Sequence, residues 1–459
     1  MNLLSLLQNA TINIESLKDY YLSQVDKITK SVEKEIKKYV PGMVVERYLF
    51  AMASHHEELL EGENGEKVKE VARRLVSDIE IGESEKTFSA SYKLNEEFFK
   101  TNKWEMNPTK AAKEYQKLSV REEILNQSTL MMLLIKYEEL IMGVFEYVIT
   151  SYPNAYLKDK TLSYTEILEM DSKIEAVKEI LLVREIDEIM RRPVSDWYKI
   201  LSDKHKVDFK NLREIFEDFK EIYYRRNIIV HNNGIVNTIY INNVDKKKRE
   251  NLKVGDVLTV DKAYLIKAFD LVYIMIYGTI LNMSRISSDN LEIYNVLQES
   301  AFQHMVDREW EISKFVYKNL LAEKSDDIPT ADKEIWQVNY WISIKNADGL
   351  ETIKEQISQH DVSVMEGKFK VAKACLLNEH SAVNELLEIY LNNEIRALDI
   401  ETWPLFLQYR KSKEYRDFRK KHTKDFEKQN YEAENISRDE VTDEVLEMSE
   451  EIEGAGDSI

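Results

Sequence analysis

"LREIFEDFKEIYYRRNIIVHNNG", residues 212 to 234, is the stretch whose reading decides the rest. Its apolar residues recur three and four positions apart, which predicts an amphipathic helix. "NNG" then reads as a helix C-cap, with Gly234 or Asn233 in the left-handed conformation, so that His231 falls in the last turn. Asn227 and His231 are four residues apart and share one helix face. Arg226 lies about 100° round the helix from Asn227, and its long stem can swing toward that face. Ile228, Ile229 and Val230 supply the apolar body that buries the helix end.

The surrounding sequence is mostly α. Between 118 and 290, one amphipathic segment runs from about Val120 to Tyr152 and ends at Pro153; another covers 164 to 192 and stops before Pro193. After the 212 to 232 helix come two strand-like runs, "GIVNTIYIN" (234 to 242) and "VGDVLTV" (254 to 260). The basic loop "VDKKKRENLK" joins them, and together they read as a small β-hairpin insertion. A last apolar helix, about 261 to 285, closes this unit. Residues 1 to 117 read as a mainly helical N-terminal domain of unknown role, broken at Pro41-Gly42, in which "TFSASYKL" (87 to 94) is a short strand. Residues 291 to 428 read as helical hairpins of the tetratricopeptide type: "KNADGLETIKEQI" (345 to 357) resembles "LNEHSAVNELLEIY" (377 to 390), at a period of 32 to 33 residues.

Composition agrees with packed helices. The 459 residues include only 12 Gly and 6 Pro, with 32% charged and 43% hydrophobic residues, a mix unlike that of a sandwich or barrel. The single cysteine, Cys375, excludes an intramolecular disulfide and a CxxC site, which fits a reducing cytoplasm. "MNLLSLLQNATINIE" lacks the basic start and cleavage site of a signal peptide. Of the two most apolar runs, 130 to 149 is interrupted by Lys136, Glu138 and Glu139, and 271 to 283 is too short to span a bilayer. Both read as core helices, with no membrane partner.

A net charge of −19 argues against a surface that coats nucleic acid broadly. The charge is uneven. Residues 431 to 459 hold eleven Asp or Glu against Arg438, a net −10, whereas 410 to 428 hold nine Lys or Arg against four Asp or Glu, a net +5. Residues 429 to 459 therefore read as an acidic disordered tail, with a sharper alternative in which the tail folds onto basic surfaces and competes with RNA.

No G-x-x-x-x-G-K-[ST], G-x-G-x-x-G or H-E-x-x-H motif occurs, so ATPase, dinucleotide-binding and zincin chemistry have no support, and no cofactor is expected. His55 and His56, adjacent on a helix, point about 100° apart and do not make a metal site. What remains is Arg226, Asn227 and His231. A histidine moves protons, and a guanidinium holds a phosphate oxygen and stabilises charge on a phosphorane. Nothing in the trio requires a metal. The matching reaction is RNA cleavage by the neighbouring 2′-hydroxyl.

Arg226-Asn227-x-x-x-His231 at the end of a long helix resembles the R-x(4 to 6)-H signature of HEPN domains. The resemblance covers roughly 118 to 290. It implies an up-and-down helical bundle that dimerises, bringing two motifs into one composite cleft. It also implies metal-independent endoribonuclease activity of the kind used in toxin-antitoxin, abortive-infection and anti-phage systems, with a phage-derived or antitoxin regulator as a partner. Carried over by position, Arg226 and His231 would be catalytic and Asn227 would orient the histidine or phosphate. Arg225, Tyr223, Lys246, Lys247, Lys248 and Arg249 are candidate RNA contacts, Tyr223 and Tyr224 by stacking on a base. Some HEPN domains are non-catalytic, so the alternative is a helical scaffold in which Arg226 pairs with a helix acid such as Glu221 or Asp218 and His231 caps the helix.

Overall fold

Phe219, Ile222, Tyr223 and Ile229 line up on one side of the 212 to 232 segment, and in a computed structural model of the chain all four are buried. The structure describes residues 2–54, 57–84, 87–169, 174–249, 251–286, 290–324 and 328–427. His55, His56 and the acidic segment 429 to 459 lie outside them. Among the described residues the chain forms twenty α-helices and one two-stranded sheet. It divides into two compact units, one of Gln8–Lys199 and Arg213–Val272, the other of Asn2–Leu7, Ile200–Leu212 and Tyr273–Ile459.

The helices of the first half are α1 (Leu3–Ile36), α2 (Val40–Ala53) and α3 (Gly62–Leu75), then, after the sheet, α4 (Glu96–Asn102), α5 (Pro108–Ser119) and α6 (Arg121–Ser151). They continue as α7 (Tyr164–Glu169), α8 (Ile174–Met190), α9 (Val194–His205), α10 (Arg213–Asn232), α11 (Thr238–Asn243) and α12 (Lys262–Ser284). Pro41 falls in the first turn of α2, where its missing N–H costs nothing, so the expected break at Pro41-Gly42 sits at a helix start. Strands β1 (Val76–Ser84) and β2 (Thr87–Leu94) pair antiparallel from Val76↔Leu94 to Ser84↔Thr87. The second is the strand read from the alternation of "TFSASYKL".

The core of the first unit is set by α6, whose Leu130, Leu133, Leu134, Tyr137, Ile141, Val144, Phe145 and Val148 are buried. Tyr137 meets Phe219 of α10 edge-on at 4.7 Å between ring centroids, and Phe219 meets Tyr223 at 5.3 Å. Tyr223 meets Trp197 of α9 at 6.0 Å, so one run of rings fixes α6, α9 and α10 to each other. The helix α1 shares this unit: Tyr21 donates its hydroxyl to Asn126 of α6 at 2.8 Å, and Asn126 donates to the Val260 carbonyl at 3.0 Å.

The expected β-hairpin insertion is not formed. Asn233 and Gly234 take positive φ of 49° and 75° and end α10, as the "NNG" reading required. The chain then makes one antiparallel bridge, Ile235↔Val257, and Asn237 caps a new helix by accepting from the Tyr240 N–H at 2.9 Å. The β-branched look of "NTIYIN" is overruled by this asparagine cap and by burial of Tyr240. Gly234 is needed here for a second reason. A Cβ would stand 2.7 Å from the Leu258 carbonyl oxygen. Gly234→Ala is therefore expected to lower stability by about 2 kcal/mol or more, read as a shift of the urea midpoint at unchanged slope.

The apolar run at 271 to 283 belongs to a longer helix than its own length suggested. Lys262–Ser284 is 23 residues, long and apolar enough to cross a membrane, but 78% of its most apolar window is buried inside the protein. It is a core helix by packing rather than by shortness.

The second unit continues with α13 (Asn290–Val306), α14 (Trp310–Leu321), α15 (Thr330–Ala347) and α16 (Lys354–Gln359), then α17 (Gly367–Leu376), α18 (His380–Tyr390), α19 (Ala397–Thr402) and α20 (Lys413–Lys421). Both stretches of the suspected repeat run from a helix end through a positive-φ residue, Gly349 or Asn378, into a helix. Lys345 ties them by donating to Asn378 Oδ1 at 2.7 Å and to the Cys375 carbonyl at 3.0 Å.

Candidate functional site

The last two turns of α10 sort their polar side chains by what each can reach. Arg225 turns inward. Its Nε donates to Glu221 at 2.8 Å, its Nη1 to the Thr259 carbonyl at 2.8 Å, and its guanidinium lies 4.0 Å over the Tyr264 ring. Glu221 is itself buried and also accepts the hydroxyls of Tyr240 at 2.6 Å and Tyr264 at 2.7 Å. Burial first, and then the Glu221 carboxylate, push both phenols above their ordinary range. This closed network fastens α10 to α11 and α12. Arg225 is spoken for as a structural cation, although the sequence offered it as an RNA contact.

Arg226 turns the other way and donates its Nη2 to Glu138 of α6 at 2.7 Å. The pair is about three-quarters covered on both sides. Burial raises the Glu138 carboxyl above the usual carboxylate range, against the pull of Arg226. The expected helix acids are thus used by other cations: Glu221 by Arg225, and Asp218 by Lys248. The acid on Arg226 comes from 88 residues away.

Asn227 and His231 lie on the exposed edge of α10, with Val230, which the apolar reading had placed in the buried body. Among the described residues neither Asn227 nor His231 makes a side-chain hydrogen bond or ion pair. His231 does not cap the helix. The cap at this end is made by backbone, the Gly234 N–H donating to the Ile228 carbonyl at 3.0 Å.

A cavity of about 320 Å³ opens beside Arg226. Its wall is built from Glu138, Lys220, Tyr223, Tyr224, Arg226 and Asn227, together with the α8–α9 corner from Met190 to Ser195 and Trp197. His231 is not part of that wall. Tyr223 is 8% exposed and packed between Phe219 and Trp197, so it serves as a core ring and not as a platform for a base. Tyr224 is half-buried on the cavity rim.

Of the basic loop, Lys248 is drawn onto Asp218, and Arg249 donates its Nε to the Val244 carbonyl at 3.0 Å. Lys246 and Lys247 are exposed and make no side-chain pair among the described residues. The structure therefore brings Arg226, Asn227 and His231 onto one stretch of α10. It leaves Lys246 and Lys247 exposed without a side-chain pair among the described residues, ties Arg225, Lys248 and Arg249 to partners within the chain, and buries Tyr223. Sequence reading missed Glu138, Lys220, Arg191 and Arg192. The two arginines precede Pro193 and were legible only as a helix end, and Glu138 only as an interruption of an apolar run. Compared with protein-family models, curated proteins and solved structures, the chain matches none.

Proposed function

We propose that the chain is a metal-independent endoribonuclease of HEPN type, acting in an anti-phage or toxin system. The observation that carries this reading is an exposed His231, without a side-chain partner among the described residues, four residues after Asn227 on one helix edge, with Arg226 in a cavity wall. In the proposed reaction the histidine, or its counterpart in a second copy, takes the proton of a 2′-hydroxyl. The 2′-oxygen attacks phosphorus, Arg226 holds a non-bridging oxygen, and the 5′-oxygen leaves with a proton returned to it. The products are a 2′,3′-cyclic phosphate end and a 5′-hydroxyl end. Two copies of the bundle meet to form one cleft, and the helical pairs of the second unit stack in the tetratricopeptide manner to receive a regulatory protein.

A second reading is favoured by one observation, the Arg226–Glu138 pair. A guanidinium occupied by its own carboxylate suits a scaffold that binds a partner protein and performs no chemistry. RNA integrity separates the two. Purified wild-type protein in EDTA is expected to cut RNA and leave cyclic-phosphate ends. RNA left whole by wild type, both in EDTA and in cells under phage challenge, makes the chain a scaffold.

A further inference from the structure

The cavity at the α8–α9 corner has a chemistry of its own. Four cationic side chains, Arg191, Arg192, Lys220 and Arg226, stand in its wall against the single carboxylate of Glu138. Arg192 and Lys220 each hold an acid outside the wall, Glu188 at 3.1 Å and Glu217 at 3.0 Å. Arg191 is exposed and has no acid among the described residues. The first turn of the twelve-residue α9 begins at Val194 and Ser195, both in the wall, and free N–H groups at a helix start favour an anion. Behind these groups the Tyr223 hydroxyl is buried and makes no hydrogen bond of good geometry; the acid it faces is Glu138, so an anion's oxygen standing in place of that carboxylate would take this donor as well.

We propose that this cavity seats a phosphate monoester, its phosphate replacing the Glu138 carboxylate on Arg226 while Arg191 and Lys220 take the outer oxygens. A dianion brings more charge to Arg226 than one carboxylate does, and guanidinium and phosphate match in a two-pronged geometry. Burial already disfavours the ionised form of Glu138, which weakens its hold on Arg226 relative to a fully charged phosphate. The volume, about 320 Å³, is at the lower end of small-molecule sites and exceeds the needs of bare phosphate. An organic group is therefore carried in with it, against Trp197, Tyr224 and Pro193. The seat deepens the ribonuclease reading and rests on it only for the carrier, the 5′-phosphate end that an RNA substrate brings with it; it shares Arg226 with the scissile phosphate, so the two are held there in turn.

The test is calorimetric titration of the full chain with AMP, adenosine, and a hexaribonucleotide with or without a 5′-phosphate. AMP is expected to bind once per chain and adenosine not at all. Arg191→Ala, at an exposed position, weakens AMP about tenfold or more, and Glu138→Gln tightens it about tenfold, the worth of one charge-assisted hydrogen bond. The 5′-phosphorylated hexamer displaces AMP if the phosphate arrives on RNA; displacement by neither hexamer assigns the seat to a free nucleotide. Adenosine binding as well as AMP, or AMP affinity unmoved by both substitutions, overturns the proposal. Failure of the nuclease reading shows separately, as AMP bound by a wild-type protein that leaves RNA whole in EDTA.

Discussion

His231→Ala is expected to lower RNA cleavage by about 10²- to 10⁴-fold, the usual worth of a positioned proton-transfer group, with the unfolding midpoint unchanged within about 0.5 kcal/mol. The two halves of this expectation come from the same geometry. The side chain is exposed and holds no partner among the described residues, so removing it breaks nothing that the fold uses. The Gly234–Ile228 backbone bond carries the helix end without it. Arg226→Ala is a less clean experiment, because it strands a Glu138 that is about three-quarters covered and has lost its cation. Comparing cleavage rates at matched stability, measured from denaturant curves, isolates the chemistry. Wild-type cleavage by the His231 variant would remove the histidine from the reaction and the motif from the function. A rate loss restored by added imidazole would place the missing proton carrier at this exposed edge.

The sequence was most legible where local rules act alone. Helices α6, α10 and α12 begin and end within a few residues of where proline, the "NNG" cap and the apolar period put them. One positive-φ pair, Asn233 and Gly234, was readable because only a helix stop explains that tripeptide after an apolar run. Legibility failed where a side chain decided between two local options. Asn237 turned a β-branched run into a helix by capping it, and tyrosines at 240 and 264 were then free to converge on Glu221. Failure was deeper at long range. Nothing within α10 shows that Arg226 would find Glu138 while Arg225, one residue earlier, would find Glu221. Adjacent positions differ by about 100° on a helix, which is enough to send one guanidinium to a closed network and the other to an open cavity. The motif could be located from sequence. Its surroundings, which decide whether Arg226 is available, needed the packing of α6, α8 and α9 around it.

Glu221→Ala is expected to cost the fold about 3–5 kcal/mol, the loss typical of removing one partner from a buried ion pair. Glu221 is 8% exposed and gathers three donors: the Arg225 Nε and the hydroxyls of Tyr240 and Tyr264. Without it Arg225 keeps one bond, to the Thr259 carbonyl, and its remaining charge stays covered. Two phenols lose their acceptor at the same time. Glu221→Gln retains an acceptor oxygen for the tyrosines but not the charge, so a smaller loss is expected, and the difference between the two variants measures the ionic part. The double variant Glu221→Leu/Arg225→Met removes both charges and replaces them with apolar groups, and it should recover much of the stability that Glu221→Ala loses. Its activity is the more informative readout. The network anchors α10 to α11 and α12 through Glu221 and Arg225, which precede Asn227 by six and two residues, without facing the exposed edge. If it positions that edge, the double variant will be stable yet slow; if it only stabilises the bundle, stability and cleavage will return together. A loss under about 1 kcal/mol for Glu221→Ala would show that the buried carboxylate is not holding these helices at all.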